Sequence, residues 1–354
     1  MTYLPTHTHY REDNSMKNNS TIIFQFIVLV MTLSYVTGCG STAQQIDMSW
    51  PLPPEQPRIK FVEILQDENY FPKSMWQKII ESLLGAEPSK RLAKPYGVVA
   101  DATGTTYVTD TGLGAVVVFD KQQKKIRTIG DSGQGRLAIP SGITASDTLI
   151  YVSDSKQRRV YGFTFAGDLR MVFGSDTLFV TPAGISIDEQ KKKLYIVDSG
   201  KHSVHVFTVE GTYLFSFGSR GPDDGMFNYP TNICVKNGKI YVMDTMNFRV
   251  QIFDMNGVFL SKFGSVGNSP GFFARPKGIG VDSDGHIYIS DAGFDNFQIF
   301  NEKGEILLFV GNAGRQPGEF GLPAGLYVDK NDMVYVVEQL NARVQVFKYL
   351  KSKD

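Results

Sequence analysis

The stretch Tyr241-Val-Met-Asp244-Thr-Met-Asn247-Phe-Arg249-Val-Gln-Ile-Phe253 decides the fold, because its framework returns in register five more times. A Tyr followed by Val or Ile stands at Tyr107, Tyr151, Tyr195, Tyr241, Tyr288 and Tyr335. Three residues after each comes an acid: Asp110, Asp154, Asp198, Asp244, Asp291 and Glu338. Nine residues after each acid comes Phe119, Phe163, Phe207, Phe253, Phe300 or Phe347. Eleven residues after the first five of these comes Gly130, Gly174, Gly218, Gly264 or Gly311. Fixed intervals of this kind mark an architecture of stacked supersecondary units.

Reading outward from Tyr241-Phe253 defines one unit. Before the Tyr lies Pro-x-Gly-Ile-x-Val, as in Pro276 to Val281, which reads as a strand a. The Tyr-Val-x-Asp segment is strand b, Arg249 to Phe253 strand c, and Phe259 to Gly264 strand d. Asn256-Gly257 and Asp284-Gly285 are dipeptides that supply the positive φ angles of tight hairpin turns. The opening prolines, Pro95, Pro140, Pro182, Pro230, Pro276 and Pro323, are 42–48 residues apart, the length of a four-stranded propeller blade. The expected fold is all-β: a six-bladed β-propeller of four-stranded antiparallel blades.

The sixth unit ends before its strand d, since Asp354 closes the chain. Arg58 to Leu65 is an apolar-rich strand with no unit of its own, and it is expected to complete the sixth blade from the N-terminal side. That pairing closes the ring and removes an open sheet edge. The domain boundaries are therefore 58–354 for the propeller, with 58–65 the closing strand, 66–90 an insertion and 91–354 the repeats. Within the insertion, Ser74 to Leu84 spaces Met75, Trp76, Ile79, Ile80, Leu83 and Leu84 along one helical face. Ser74 suits an N-cap and Gly85 a C-terminal stop. Docking of that face on the propeller's own d–a loops is the plainer expectation, and contact with a partner or a membrane the other.

The N-terminal segment reads as a targeting signal. Ile22 to Leu33 is an apolar run of secretory h-region length, and Met16-Lys17 opens a conventional short basic n-region, so Met16 reads as the true start. His7 and His9 then precede the product and receive no metal role. Val36-Thr-Gly-Cys39 resembles the lipobox of bacterial lipoproteins. That resemblance implies cleavage after residue 38, acylation of Cys39 and an envelope location on the cell membrane or outer membrane. Residues 39–57, with Pro51, Pro53, Pro54 and Pro57, read as an extended tether. With Cys39 acylated, Cys234 has no intramolecular partner and reads as an inert buried thiol.

Asp244 to Phe253 and Phe263 to Pro276 also resemble the NHL repeat. The sixth unit matches at Asn341, Arg343 and Phe347, and the second keeps Arg159. The first, third and fifth depart, with Ala115, Ser203 and Asn296 at the Arg position. The resemblance spans about Arg91 to Tyr349 and is specific for fold. It is weak for function, because NHL propellers serve as enzymes, nucleic-acid binders and scaffolds.

Bulk charge and residue chemistry narrow the classes. Lys plus Arg and Asp plus Glu are equal at 36 each, which removes the basic field that nucleic-acid binding needs. The repeated acids are expected to accept turn amides or to pair with the Arg five residues on, rather than to bind metal. His202, His205 and His286 are expected at the surface and unconverged. No cofactor is expected. Lyases of this fold that hold metal through inner-strand histidines find no counterpart at the strand a starts. Of the carboxylate and amide ligands that six-bladed lactonases use, only Asn232 stands at a comparable place. The expected function is a monomeric, non-enzymatic binding or scaffold propeller for a protein or glycan. Its binding face is placed on the d–a and b–c loops, with Tyr96, Asn232, Lys277, Arg220, Arg315 and Trp76 as candidates. The alternatives are a metal-dependent hydrolase or lyase with its site at the channel mouth, and an accessory component of an envelope electron-transfer assembly.

Overall fold

The computed structural model describes residues 1–2, 47–85 and 90–351. The signal segment, the lipobox and Cys39 lie outside the described residues. Six antiparallel sheets form one compact unit from Asp47 onward. In the first blade strands a to d are Pro95–Ala100, Thr106–Asp110, Ala115–Asp120 and Lys125–Ile129. Strand a of every blade packs on strand a of the next, so that the six surround a central axis and the ring is closed.

Burial across a blade follows position. Strand c of the first blade, Ala-Val-Val-Val-Phe-Asp, is buried at every residue, because both faces of a blade are covered by its neighbours. Strand d alternates instead, as in Leu169–Phe173, because it lies on the outer rim. The interblade cores contain the repeat's own markers. Tyr107, Tyr195, Tyr241 and Tyr288 are among the largest fully buried side chains, with Phe119, Phe163, Phe207 and Phe253. The Gly that ends strand d is explained by Gly264, whose φ is +95° and whose place for a Cβ is filled by the ring of Phe273, itself fully buried.

The repeated acids act structurally. Asp110 accepts from the backbone N–H groups of Ala93, Lys94, Gly112 and Leu113 at 2.7–3.1 Å, tying the b–c turn to the incoming d–a loop. In the fourth blade Asp244 also receives Arg249 Nε at 2.8 Å, and in the sixth Glu338 receives Arg343 Nε. In the second blade Arg159 reaches out to Asp176 at 2.9 Å instead, and Asp154 holds four backbone amides and Gln157.

Closure occurs through β2 (Ile59–Leu65), which pairs with Arg343–Tyr349 from Ile59↔Tyr349 to Leu65↔Val344. The sixth sheet then gains a further strand, β1 (Ser49–Trp50), antiparallel to β2. Read from the sequence as extended tether, residues 47–57 instead turn back on the blade. The reason is burial of Trp50, whose ring meets Phe347 edge-on at 5.8 Å, and of Met48 beside it. Asp47 adds an ion pair to Lys60 at 2.9 Å.

The insertion forms α1 (Met75–Leu84) with a capping box: Gln77 N donates to Ser74 Oγ at 3.3 Å, and Ser74 N donates to Gln77 Oε1 at 2.8 Å. Its apolar face does not dock on the d–a loops. Met75, Trp76, Leu83 and Leu84 are each more than two-thirds exposed. The part of the insertion that packs is the short turn before it. Tyr70 and Phe71 enter the core between the sixth and first blades, and Tyr70 Oη donates to Glu63 at 2.7 Å.

Candidate functional site

The candidate site is built by strand a, because it alone faces the axis. In five blades strand a opens Pro-x-Gly, and in those five its pairing with strand b shifts between the Pro and the residue three places on. Three of the bulged glycines are held by a hydroxyl from strand b. Gly97 N donates to Thr109 Oγ1 at 2.8 Å, Gly142 N to Ser153 Oγ at 2.9 Å and Gly278 N to Ser290 Oγ at 2.8 Å. The same hydroxyls donate across the blade boundary, Thr109 to Ser141 O at 2.7 Å, Ser290 to Ala324 O at 2.5 Å, and Ser153 to Ala183 O.

These contacts draw the six strands into a constriction. Gly97, Gly142, Gly184, Gly278 and Gly325 stand so close to the next blade that a Cβ has no room. One on Gly97 would lie 2.7 Å from Ser141 O, and one on Gly278 2.5 Å from Ala324 O. Gly142 and Gly325 meet the carbonyls of Ala183 and Tyr96 in the same way. The sixth position is Asn232. Its Oδ1 accepts from Ile233 N at 2.8 Å, and its amide is packed against Gly184.

Beyond the constriction the strands diverge into a cavity of about 960 Å³. Its lining comes from strand a of all six blades, from the a–b turns, and from the c–d turns of the first two blades. None of the d–a loops contributes. The cavity therefore opens on the face made by the a–b and c–d turns, away from the d–a loops where the sequence had placed binding.

The six sequence candidates separate accordingly. Tyr96 and Asn232 line the cavity at its narrow end. Burial raises the Tyr96 phenol above its ordinary range. Lys277 neighbours the constriction outside the cavity, with its carbonyl accepting from Thr231 Oγ1, and burial and Arg275 lower its ammonium pKa. Arg220 and Arg315 are exposed on d–a loops, and Trp76 is on α1. The structure does not bring the six together.

Several residues in or near the site carried no functional expectation. Tyr327, on strand a of the sixth blade, lines the cavity with its phenol raised by burial. Glu189, Lys236 and Lys330 stand at the mouth, and burial followed by the charge of Asp147 raises the Glu189 carboxyl. Cys234 is part of the lining and half-buried, and burial pushes its thiol up to about 11, which keeps it protonated.

The histidines differ from expectation. His202 and His205 are buried, not at the surface. His202 Nδ1 accepts from Tyr229 N at 3.1 Å, and its ring lies 4.6 Å from that of Tyr229. His205 sits between Phe179 and Tyr213, close to Ser203 Oγ at 3.2 Å. Burial lowers both pKa values, with Arg220 adding to the effect at His202. Among the described residues no three His, Cys, Asp or Glu side chains are grouped as metal ligands.

A second unanticipated set lies on the opposite face. Gln251, Gln298 and Gln345 are fully buried, two residues after the Arg position of strand c. Each clamps a d–a loop. Gln251 Oε1 accepts from Gly225 N at 2.9 Å while its Nε2 donates to Met226 O at 2.7 Å. Gln298 and Gln345 do the same with Gly271 and Phe272, and with Gly318 and Glu319. The Val-Gln and Phe-Gln steps on an otherwise apolar strand were the available signal.

Comparison with known proteins follows the fold. A sequence family described as a 6-bladed beta-propeller matches residues 220–297. No curated protein matches the chain in sequence. Among solved structures, a protein of unknown function from Bacteroides thetaiotaomicron superposes with a TM-score of 0.59 at 18% identity, covering 74% of this chain and 70% of that one. An auxiliary nutrient binding protein from the same organism gives 0.57 at 13% identity, covering 73% and 70%. Virginiamycin B lyase from Staphylococcus aureus gives 0.55 at 14% identity, covering 76% and 86%. Likeness at such identities extends to the fold alone. On repeat, sheet order and comparison together, the chain is a six-bladed β-propeller whose last blade is completed by an N-terminal strand.

Proposed function

We propose that this chain is a non-enzymatic binding propeller of the cell envelope, anchored through an acylated Cys39, and that a glycan end enters its central cavity. The observation that carries the proposal is the cavity itself. It has about 960 Å³, narrows towards the ring of glycines and widens towards the a–b turns. That is the upper part of the usual range for small-ligand sites and is room for more than one sugar ring.

Its lining suits a polyhydroxy ligand. Tyr96 and Tyr327 offer ring surface, and Asn232, Ser141, Gln122 and Gln123 offer amide and hydroxyl groups. Charges of both signs at the mouth, Glu189 against Lys236 and Lys330, favour a neutral or zwitterionic ligand over a strongly charged one. Propellers of this fold include an auxiliary nutrient binding protein, which is consistent with a binding role and does not extend beyond fold.

The test is a titration of purified protein with neutral oligosaccharides, followed by calorimetry, for the natural chain and Asn232→Leu. Binding that is lost in Asn232→Leu without a change in thermal midpoint supports the proposal. Binding abolished by Arg220→Ala or Arg315→Ala and untouched by Asn232→Leu moves the site to the d–a face. Stoichiometric metal retained on purification and lost with Asn232→Leu replaces the proposal by the hydrolase or lyase reading.

A further inference from the structure

α1 presents an apolar face that nothing in the described chain covers. Met75, Trp76, Ile79, Ile80, Leu83 and Leu84 are 42–83% exposed, and no residue of the helix is buried. The helix is nevertheless fixed at its base. Asp67 bridges Arg91 where the insertion leaves and rejoins the ring, and Tyr70 and Phe71 are wedged between the sixth and first blades. On the polar side Lys73 pairs with Glu68 at 3.3 Å and with Glu81 at 2.9 Å. The charges beside the helix thus largely cancel, and its apolar face is the feature left for a partner.

The chain itself indicates what covers that face. Ser49 pairs with Lys60 and Trp50 with Ile59, so the path from Trp50 back to Asp47 runs along β2 towards Leu65. The insertion that carries α1 starts at that same end of β2. Asp47 is eight residues from Cys39, and eight residues span at most about 29 Å when fully extended. A lipid on Cys39 therefore holds the outer edge of the sixth blade close to a bilayer, beside the place where the insertion springs. The helix has ten residues, and among the described residues no helix is long and apolar enough to cross a membrane. A short helix with Trp and aliphatic side chains on one face is suited to lying in the interface between headgroups and acyl chains.

We propose that α1 lies in the bilayer surface with Met75, Trp76, Ile79, Ile80, Leu83 and Leu84 in the lipid, as a second membrane contact beside the N-terminal anchor. The proposal rests on the reading of Cys39 as that anchor. Because the helix carries little net charge, it needs no anionic lipid and its contact is weakly dependent on salt.

The two tryptophans make the test direct. Trp76 is exposed on α1, whereas Trp50 is packed on Phe347. The full chain is reconstituted in phosphatidylcholine vesicles whose acyl chains are brominated, and tryptophan emission is recorded. Trp76 emission should shift to the blue and lose most of its intensity, while Trp76→Phe leaves an unquenched Trp50 signal. A chain with Ile80→Asp and Leu83→Asp should stay on the vesicles and lose the quenching. Attached protein with unquenched Trp76 overturns the helix proposal and leaves the anchor standing. Protein that does not attach overturns both. A concentration-dependent blue shift of Trp76 without vesicles, unaffected by adding them, assigns the face to a second copy of this chain and overturns the lipid proposal.

Discussion

Arg249 and Arg159 occupy the same position of the repeat, yet their removal should have very different consequences. Arg249 is 8% exposed and its partner Asp244 is fully buried. Its Nη2 donates to Asp223 O at 2.8 Å and to Met226 O at 2.9 Å, so one guanidinium holds both the acid and the incoming loop. Arg249→Met keeps the stem and removes the charge. It leaves the Asp244 side chain buried without its guanidinium partner, with Asn247, Gln251 and the Asn228 amide as remaining donors. Breaking a buried pair in this way costs about 3–5 kcal/mol. For a large domain that is a fall in thermal midpoint of about 6–20 °C.

Arg159 pairs with Asp176, which is 70% exposed, and an ion pair of that kind contributes about 0.2–1 kcal/mol. Arg159→Met should therefore lower the midpoint by less than about 4 °C. Scanning calorimetry on both variants is the assay, with a third chain carrying Asp244→Asn together with Arg249→Met. Neutralising Asp244 removes the unpaired charge, so the double variant should recover part of the loss. Equal shifts for the two arginines, or a double variant no more stable than Arg249→Met, would show that burial does not set the worth of these pairs.

Three further outcomes follow from particular contacts. Gly278→Ala forces a Cβ to within 2.5 Å of Ala324 O, and overpacking costs about 1–3 kcal/mol, read as a lower denaturant midpoint. The His286 pKa is raised, chiefly by its hydrogen bond to Asp282 at 2.9 Å, with Asp284 adding and burial and Arg58 opposing. Its contribution to stability is thus full below the ordinary histidine value of about 6.5 and is lost as pH rises through the folded value. The stability difference between the natural chain and His286→Gln should shrink between about pH 6 and pH 8, as followed by urea unfolding. With its thiol pushed up to about 11, Cys234 should alkylate at pH 8 about 100-fold more slowly than free cysteine, measured peptide by peptide by mass spectrometry.

The fold was legible because the repeat restates it six times, and each marker has one physical task. Tyr and Phe fill the interblade core, the acid ties the b–c turn, and Gly174, Gly218, Gly264 and Gly311 clear space for a Phe ring, as Gly130 does for Leu137. β1 was not legible, because its pairing depends on a contact between Trp50 and Phe347, almost 300 residues apart in sequence. Four prolines nearby read as linker, although Pro is tolerated at a sheet edge. The burial of His205 was likewise hidden, since Phe179 and Tyr213 cover it from a loop and a rim strand. The end at which the channel opens was written in the sequence without being recognised. Pro-x-Gly marked strand a, but the glycines mean close approach of neighbouring blades at that end. Small residues there and larger ones further along the strand give a cavity with one narrow and one wide mouth.

The two faces of the ring consequently differ in what their polar groups are free to do. On the d–a side, Arg249, Gln251, Arg343 and Gln345 hold loop carbonyls and amides in place. The loops that vary most between blades are therefore fixed by buried side chains, and their variation does not by itself make them a binding surface. On the a–b side, Asp101, Asp282 and Asp329 secure the turns through their own backbone amides. That local arrangement leaves Glu189, Lys236 and Lys330 around the open mouth. β1 and the base of the insertion both direct the chain towards the d–a side of the sixth blade. Under the proposed contact of Cys39 and α1 with a bilayer, the a–b mouth would be clear of the membrane. On that proposal the N-terminal strand that closes the ring would also set which way the cavity faces.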